Sequence, residues 1–260
     1  MTVNPIRAVV FDMGGTLEDL YYDDASRTEA TRGLHRLLIE RDLDPCLSLP
    51  ALQAAVLTGM KAYQEWREEN EIELSSERVW TEYIFANHDL PKDRLLANAE
   101  DLTSFYETHF YVRSLRPEAP ALLDALHERG LSLAVISNII SHRVVQSCLE
   151  RYGIEHYFDP VITSAGFGWR KPNARIFLEA ARLMNLPPAA CAYVGDTVSR
   201  DVIGARRAGY GLAIQIKSFL SDKADKESHV QSPDAMIHDL MQVVGLVAHE
   251  DETSPLYGGK

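Results

Sequence analysis

Residues 8–16 read AVVFDMGGT, and this stretch decides the fold. Ala8, Val9, Val10 and Phe11 are apolar without the polar alternation of a half-solvated strand, so the run predicts a strand buried on both faces. Such strands belong to parallel sheets covered by helices, whose ligands sit at the strand carboxyl ends. Asp12 stands at that end, followed by the pair Gly14-Gly15. From Arg113 onward the same logic repeats. Leu122, Leu123 and Leu126 mark a helix over 121–130 with a glycine stop, and LSLAVIS (131–137) reads as the next strand. A helix near 141–152, a strand at Pro160–Thr163, a helix near 173–185, a strand at Ala192–Val194, a helix near 199–208 and strands at Leu212–Ile216 and Ala235–Ile237 continue it. The predicted fold is α/β, a Rossmann-like, doubly wound parallel sheet with right-handed crossovers.

Residues 20–112 break the alternation. Leu52, Val56, Met60, Tyr63 and Trp66 recur at helical spacing, as do Leu95, Ala99, Leu102, Tyr106 and Phe110, and no strand stands out. The segment predicts an inserted α-helical domain, with residues 1–19 and 113–260 forming the α/β core. It holds 18 acidic and 9 basic residues, so most of the chain's formal charge of −12 resides there. That balance argues against nucleic acid, which needs a basic face that releases counterions. No apolar run approaches the ~20 residues of a membrane-spanning helix, and no export signal opens the chain, so a cytoplasmic protein is expected. Cys46, Cys148 and Cys191 show no metal or disulfide spacing and read as reduced, buried thiols. The polar, glycine-rich stretch 250–260 reads as a loose tail. Oligomeric state has no signature in the sequence.

Four segments carry chemistry at predicted strand ends: FDMGGTLED (11–19), ISN (136–138), the lysine of GWRKPN (168–173) and VGDTVSRD (194–201). Asp12, Asp196 and Asp201 offer a cluster of hard oxygen ligands suited to Mg²⁺. Lys171 offers a fixed ammonium and Ser137 a directed hydrogen bond, while Gly14-Gly15 permits a backbone turn close to a bound group. A carboxylate attacks a phosphate dianion only when the phosphoryl charge is neutralised and the attack is held in line.

In this order, with a helical insert between the first and second segments, the set resembles the haloacid dehalogenase (HAD) superfamily in its helical-cap branch. The resemblance spans residues 6–216. It implies an aspartyl-phosphate formed on Asp12, and Mg²⁺ held by Asp12, the carbonyl of Gly14 and Asp196 with support from Asp201. It further implies a phosphate cradle of Gly15, Thr16, Ser137, Asn138 and Lys171, with Asp12, Ser137 and Lys171 as the catalytic set. The substrate class implied is a small phosphorylated metabolite, and the acidic insert mildly disfavours large polyanions. One position departs from the family form Asp-x-Asp-Gly-Thr: the second aspartate, the general acid and base, is Gly14.

Three readings follow. The favoured one is a Mg²⁺-dependent phosphohydrolase whose acid comes from Glu18, Asp19 or an insert residue, or whose leaving group needs little acid. The others are a phosphonatase-like C–P hydrolase using Lys61 or Lys92 as an imine former, and a weakly catalytic Mg²⁺/phosphate-binding regulatory protein. Metal-independent dehalogenation fits less well, since it leaves Asp196 and Asp201 without a purpose. Closure of the insert about linkers at Glu18–Tyr21 and Val112–Arg116 is the expected motion.

Overall fold

A computed structural model describes residues 5–219, 221 and 232–248; the stretch 250–260 lies outside them. Six strands form one parallel sheet: β1 (Ala8–Phe11), β4 (Ser132–Ser137), β5 (Val161–Thr163), β6 (Cys191–Gly195), β7 (Leu212–Ile216) and β8 (Ala235–Ile237), in the order β5-β4-β1-β6-β7-β8. β1 lies at the centre, where Phe11 registers with Val135 of β4 on one side and Val194 of β6 on the other. The chain reverses its direction of travel across the sheet here, the position where open α/β sheets bind ligands. Because every strand points the same way, Asp12, Ser137 and Asp196 emerge at one edge.

Two apolar layers cover the sheet. Val9, Phe11 and Val135 pack with Leu122, Leu123 and Leu126 of α5 (Ala119–Glu128) and Val145 and Leu149 of α6 (Val144–Tyr152) on one face. Val10, Ile136 and Tyr193 pack with Ile176 and Phe177 of α7 (Ala174–Leu183) on the other. The helices α1 (Asp24–Glu40), α2 (Leu49–Asn70), α3 (Ser76–Val79) and α4 (Lys92–His109) enclose a cluster of their own around Leu34, Val56, Tyr63, Trp80 and Leu102. No helix among the described residues is long and apolar enough to cross a membrane. The cysteines are free, with Cys148 and Cys191 buried and Cys46 exposed, contrary to the buried setting expected of it.

The insert is not helical throughout. Its entry and exit form an antiparallel ribbon, β2 (Glu18–Tyr21) with β3 (Val112–Leu115), in the register Glu18 with Leu115 and Tyr21 with Val112. Glu18 and Leu20 point inward and Asp19 and Tyr21 outward, a two-residue period too short to read without its distant partner. The supposed linkers are therefore hydrogen-bonded to each other. A second tie joins insert and core: Glu73 donates its amide to the Gly168 carbonyl (2.9 Å), Arg170 donates to the Glu71 carbonyl (3.1 Å), and Ile72 bridges Trp169.

The Glu73 carboxylate, wholly buried, pairs with Arg170 Nη1 at 2.9 Å and accepts from Ser164 Oγ at 2.6 Å and from the Tyr63 hydroxyl. Burial alone would push this carboxyl up, but Arg170, Arg67 and the two hydroxyls hold it below the usual carboxylate range. Removing one partner of such a pair strands the other charge in a medium of low polarity. Glu73→Ala is expected to cost about 3–5 kcal/mol by urea denaturation, against under about 1 kcal/mol for Glu82→Ala in the exposed Arg78–Glu82 pair. Similar costs for the two would show that the buried pair is not a structural tie.

Candidate active site

Asp12, Asp196 and Asp201 converge just beyond β1 and β6, each buried, with carboxylate oxygens all within 4.8 Å of one another. Lys171 Nζ inserts among them, 2.6 Å from Asp12 Oδ1 and 2.7 Å from Asp201 Oδ1, and donates its third bond to the Tyr193 hydroxyl at 2.9 Å. Asp201 also accepts from Thr197, 2.9 Å from its amide and 2.6 Å from its hydroxyl. Asp196 accepts from Ser218 Oγ at 2.7 Å.

Two glycines make this crowding feasible. Gly15 has φ +89°, and a Cβ there would lie 2.3 Å from Asp196 Oδ2; a Cβ on Gly195 would lie 2.4 Å from Asp201 Cβ.

The surroundings shift the three carboxyls differently. Burial pushes Asp196 up to about 7, reinforced by Asp201 and Asp12 and opposed by Arg200 and Ser218. Burial likewise raises Asp12, against the pull of Lys171. At Asp201 the burial penalty is outweighed by Lys171, Arg200 and Thr197, which hold its carboxyl below the usual carboxylate range. A buried, incompletely neutralised trio of hard oxygen donors fits a divalent cation such as Mg²⁺.

A cavity of about 800 Å³ opens above this cluster, between the sheet edge and the insert, and its wall includes Asp12, Gly14, Ser137, Asn138 and Lys171. Ser137 is a largely buried residue of the wall, and its Oγ makes no hydrogen bond among the described residues. Asn138 is differently employed from the expected phosphate contact. Its side chain donates to the Lys171 carbonyl (2.9 Å) and accepts the Lys171 amide (2.8 Å), so it splints the lysine loop to β4.

Gly15 and Thr16 do not face the cavity, and their amides are spent inside the turn, on the Glu18 and Met13 carbonyls. Free donors lie one step earlier, since the amides of Met13 and Gly14 make no hydrogen bond among the described residues. The acids considered to replace the missing aspartate are also occupied. Glu18 is buried against Arg113 (2.6 Å) and the Tyr152 hydroxyl (2.8 Å), and Asp19 pairs with Arg116 (3.1 Å). Lys61 stands at the cavity mouth, 79% exposed and 3.9 Å from Glu65, without the desolvated setting of an imine-forming lysine.

Sequence reasoning passed over several wall residues. Arg27, Arg67, Arg113 and Arg200 all line the cavity, as does Glu107, whose carboxylate accepts the amides of Ile140 (2.8 Å) and Ser141 (3.3 Å) and so ties α4 to the loop beyond Ser137. Burial pushes the Glu107 carboxyl up to about 7, against those two hydrogen bonds and Arg113. Spacing alone carried no signal for these side chains, because a helical period assigns a face but not what that face meets.

The haloacid dehalogenase-like hydrolase family matches residues 6–209. A glyceraldehyde 3-phosphate phosphatase of Methanopyrus kandleri is 30% identical over 78% of this chain and 81% of its own length. A second protein of that description, from Methanothermobacter thermautotrophicus, is 31% identical over 87% of this chain and 91% of its own. Among solved structures, a 2-haloacid dehalogenase of Pseudomonas syringae superposes with a TM-score of 0.64 at 24% identity, covering 93% of this chain and 97% of that one, a likeness of fold.

The raised Asp196 carboxyl makes a prediction about cation binding. Below about 7 it holds a proton that a divalent cation must displace, so Mg²⁺ affinity should rise by up to about tenfold per pH unit from pH 5.5 to 7 and level off above. Calorimetric titration across that range measures it, with Asp196→Asn as the control lacking the proton. Affinity independent of pH in the unsubstituted protein would separate Asp196 from the cation.

Proposed function

The chain belongs to the haloacid dehalogenase-like hydrolase family and is a hydrolase of the phosphatase type, and on that premise we propose that it cleaves a small phosphorylated metabolite through an aspartyl-phosphate on Asp12. The observation that carries this reading is the Asp12 carboxylate at the cavity floor, gripped on Oδ1 by Lys171 at 2.6 Å and neighboured by two further buried carboxylates. Residues 20–112 act as the cap over a core of 1–19 and 113–260, and the ribbon β2–β3 is its stem.

The mechanism follows from the positions of these groups. Lys171 occupies Oδ1 of Asp12 and leaves Oδ2 to attack phosphorus in line with the leaving oxygen. Ser137 Oγ and the amides of Met13 and Gly14 are the uncommitted donors for the equatorial phosphoryl oxygens, whose charge grows in the transition state. Asn138 keeps Lys171 in place through the backbone of its loop. Asp12, Asp196, the Gly14 carbonyl and Asp201 would hold Mg²⁺, which when bound supplies positive charge to the phosphoryl oxygens. The P–O bond then breaks with its electron pair on the leaving oxygen, and water hydrolyses the phosphorylated Asp12 to return the carboxylate and phosphate.

Gly14 offers no proton for the leaving oxygen, so the chemistry suits leaving groups that are stable as anions. Phosphate release from acyl, aryl and alkyl phosphates in Mg²⁺ is expected to fall in that order, and Asp12→Asn is expected to abolish all of it. Release that persists in Asp12→Asn would reject the nucleophile. Gly14→Asp restores the acid at the cost of moving one flexible side chain, since its Cβ would meet Leu20 Cδ1 at 2.8 Å. It is expected to raise alkyl ester turnover by about 10²-fold, within the usual range of acid catalysis, and aryl turnover much less. Equal gains on both would refute the leaving-group argument.

A further inference from the structure

The insert carries 18 acidic residues against 9 basic, yet on its side of the cavity the basic Arg27, Lys61 and Arg67 outnumber the acidic Glu68 and Glu107. Arg27 of α1 and Arg67 of α2 both stand on that wall. The other cations of the cavity are committed. Lys171 and Arg200 serve the aspartate cluster, Arg113 is bound to Glu18 and to the Glu107 carbonyl, and Lys61 lies in solvent beside Glu65.

Arg27 differs from all of these. Its guanidinium carbon lies 3.7 Å from the centre of the Tyr22 ring, it has no carboxylate within ion-pair distance among the described residues, and its Nε is buried without an acceptor. Arg67 is half committed: Nη1 reaches Glu73 at 3.6 Å, while its Nε is also buried without an acceptor. Both Nε atoms are closed off from the cavity, but Arg27 and Arg67 line one wall of it, and the Nη atoms of Arg27 and Nη2 of Arg67 make no hydrogen bond or ion pair among the described residues, so planar donors remain for carboxylate or phosphate oxygens. The carboxylates on the same wall do not fill this role. Glu107 is held by the Ile140 and Ser141 amides, and Glu68 is exposed at the mouth, accepting from Gln64 at 2.9 Å.

We propose that Arg27 and Arg67 form a second anion subsite in the cap, so that the substrate carries, away from its reacting phosphoryl group, a further anionic group: a carboxylate or a second phosphate. The proposal rests on the phosphohydrolase reading and narrows it. Substrates with a neutral body, such as simple alkyl phosphates, leave Arg27 without a counter-charge and Arg67 with Glu73 alone. Of the acidic residues of the insert, only Glu68 and Glu107 line the cavity among the described residues.

A matched series tests this: propyl phosphate, 3-phosphooxypropanoate and propane-1,3-diyl bisphosphate, titrated calorimetrically in Mg²⁺ into Asp12→Asn protein, chosen because loss of the nucleophile is expected to prevent turnover. At least one charged probe is expected to bind about tenfold or more tightly than propyl phosphate, the scale of one charge-assisted pair, and the better of the two identifies the group. In the Arg27→Met background the advantage should shrink to about twofold or less with propyl phosphate binding unchanged, and Arg27→Lys should recover part of it.

Equal binding of all three probes, failure of both charged probes to bind, or an advantage that survives Arg27→Met would each overturn the subsite. Should Arg27→Met not fold, the preference of the parent protein still decides. Phosphate release from the same probes by the unsubstituted protein tests the underlying reaction separately: release without preference sinks the subsite alone, and preference without release sinks the reaction alone.

Discussion

Three carboxylates buried within 4.8 Å of one another around a single ammonium are the constraint on which the rest of this structure depends. Like charges at that separation in a poorly solvated site repel strongly, and the protein answers with proton uptake and fixed cations rather than with solvent. Lys171 bridges Asp12 and Asp201 and leaves Asp196 with its carboxyl raised to about 7. The backbone is subordinate to the same demand. Gly15 takes φ +89° and lacks the Cβ that would strike Asp196, and Gly195 leaves room for Asp201. A parallel sheet supplies the framework, because only neighbouring strands pointing the same way deliver Asp12, Ser137 and Asp196 to one edge.

A second buried charge, Glu73, organises the relation of insert to core. It binds Arg170 one residue before Lys171, so the loop carrying the Lys171 ammonium is anchored both to β4 through Asn138 and to the insert through Glu73. Glu107 adds a third link, from α4 to the loop beyond Ser137. Side chains of the insert thereby set the positions of groups on the cavity floor. An insert held at its ribbon, at Glu73 and at Glu107 is a wall of the site as much as a cover for it.

Much of this was legible in the chain. The uninterrupted apolar runs at Ala8–Phe11 and 133–136 announced a sheet buried on both faces, and the polar residues ending each run pointed to the edge where the site lies. Asp12, Ser137, Lys171, Asp196 and Asp201 meet there because a doubly wound topology brings strand ends together whatever the loops between them.

What escaped the sequence depends on contacts between distant segments. The ribbon pairs Glu18 with Leu115, and neither half is long enough to show its period. Asn138 sits beside Ser137 in the sequence yet turns to the backbone of Lys171, and Glu18, a candidate acid by position, is consumed by Arg113. The insert's charge balance was misleading for a related reason. Composition counts Arg27 and Arg67 with the acidic surface, whereas folding sorts them onto the cavity wall.

The central claim is that Asp12 becomes covalently phosphorylated. Rapid acid quenching of the protein mixed with a radiolabelled acyl phosphate in Mg²⁺, followed by peptide mapping, tests it most directly. The account predicts transient label on the peptide containing Asp12, stable to acid, released by hydroxylamine and absent from Asp12→Asn. Phosphate released at full rate with no label on any peptide at any quench time would mean that water attacks phosphorus directly, and would contradict it.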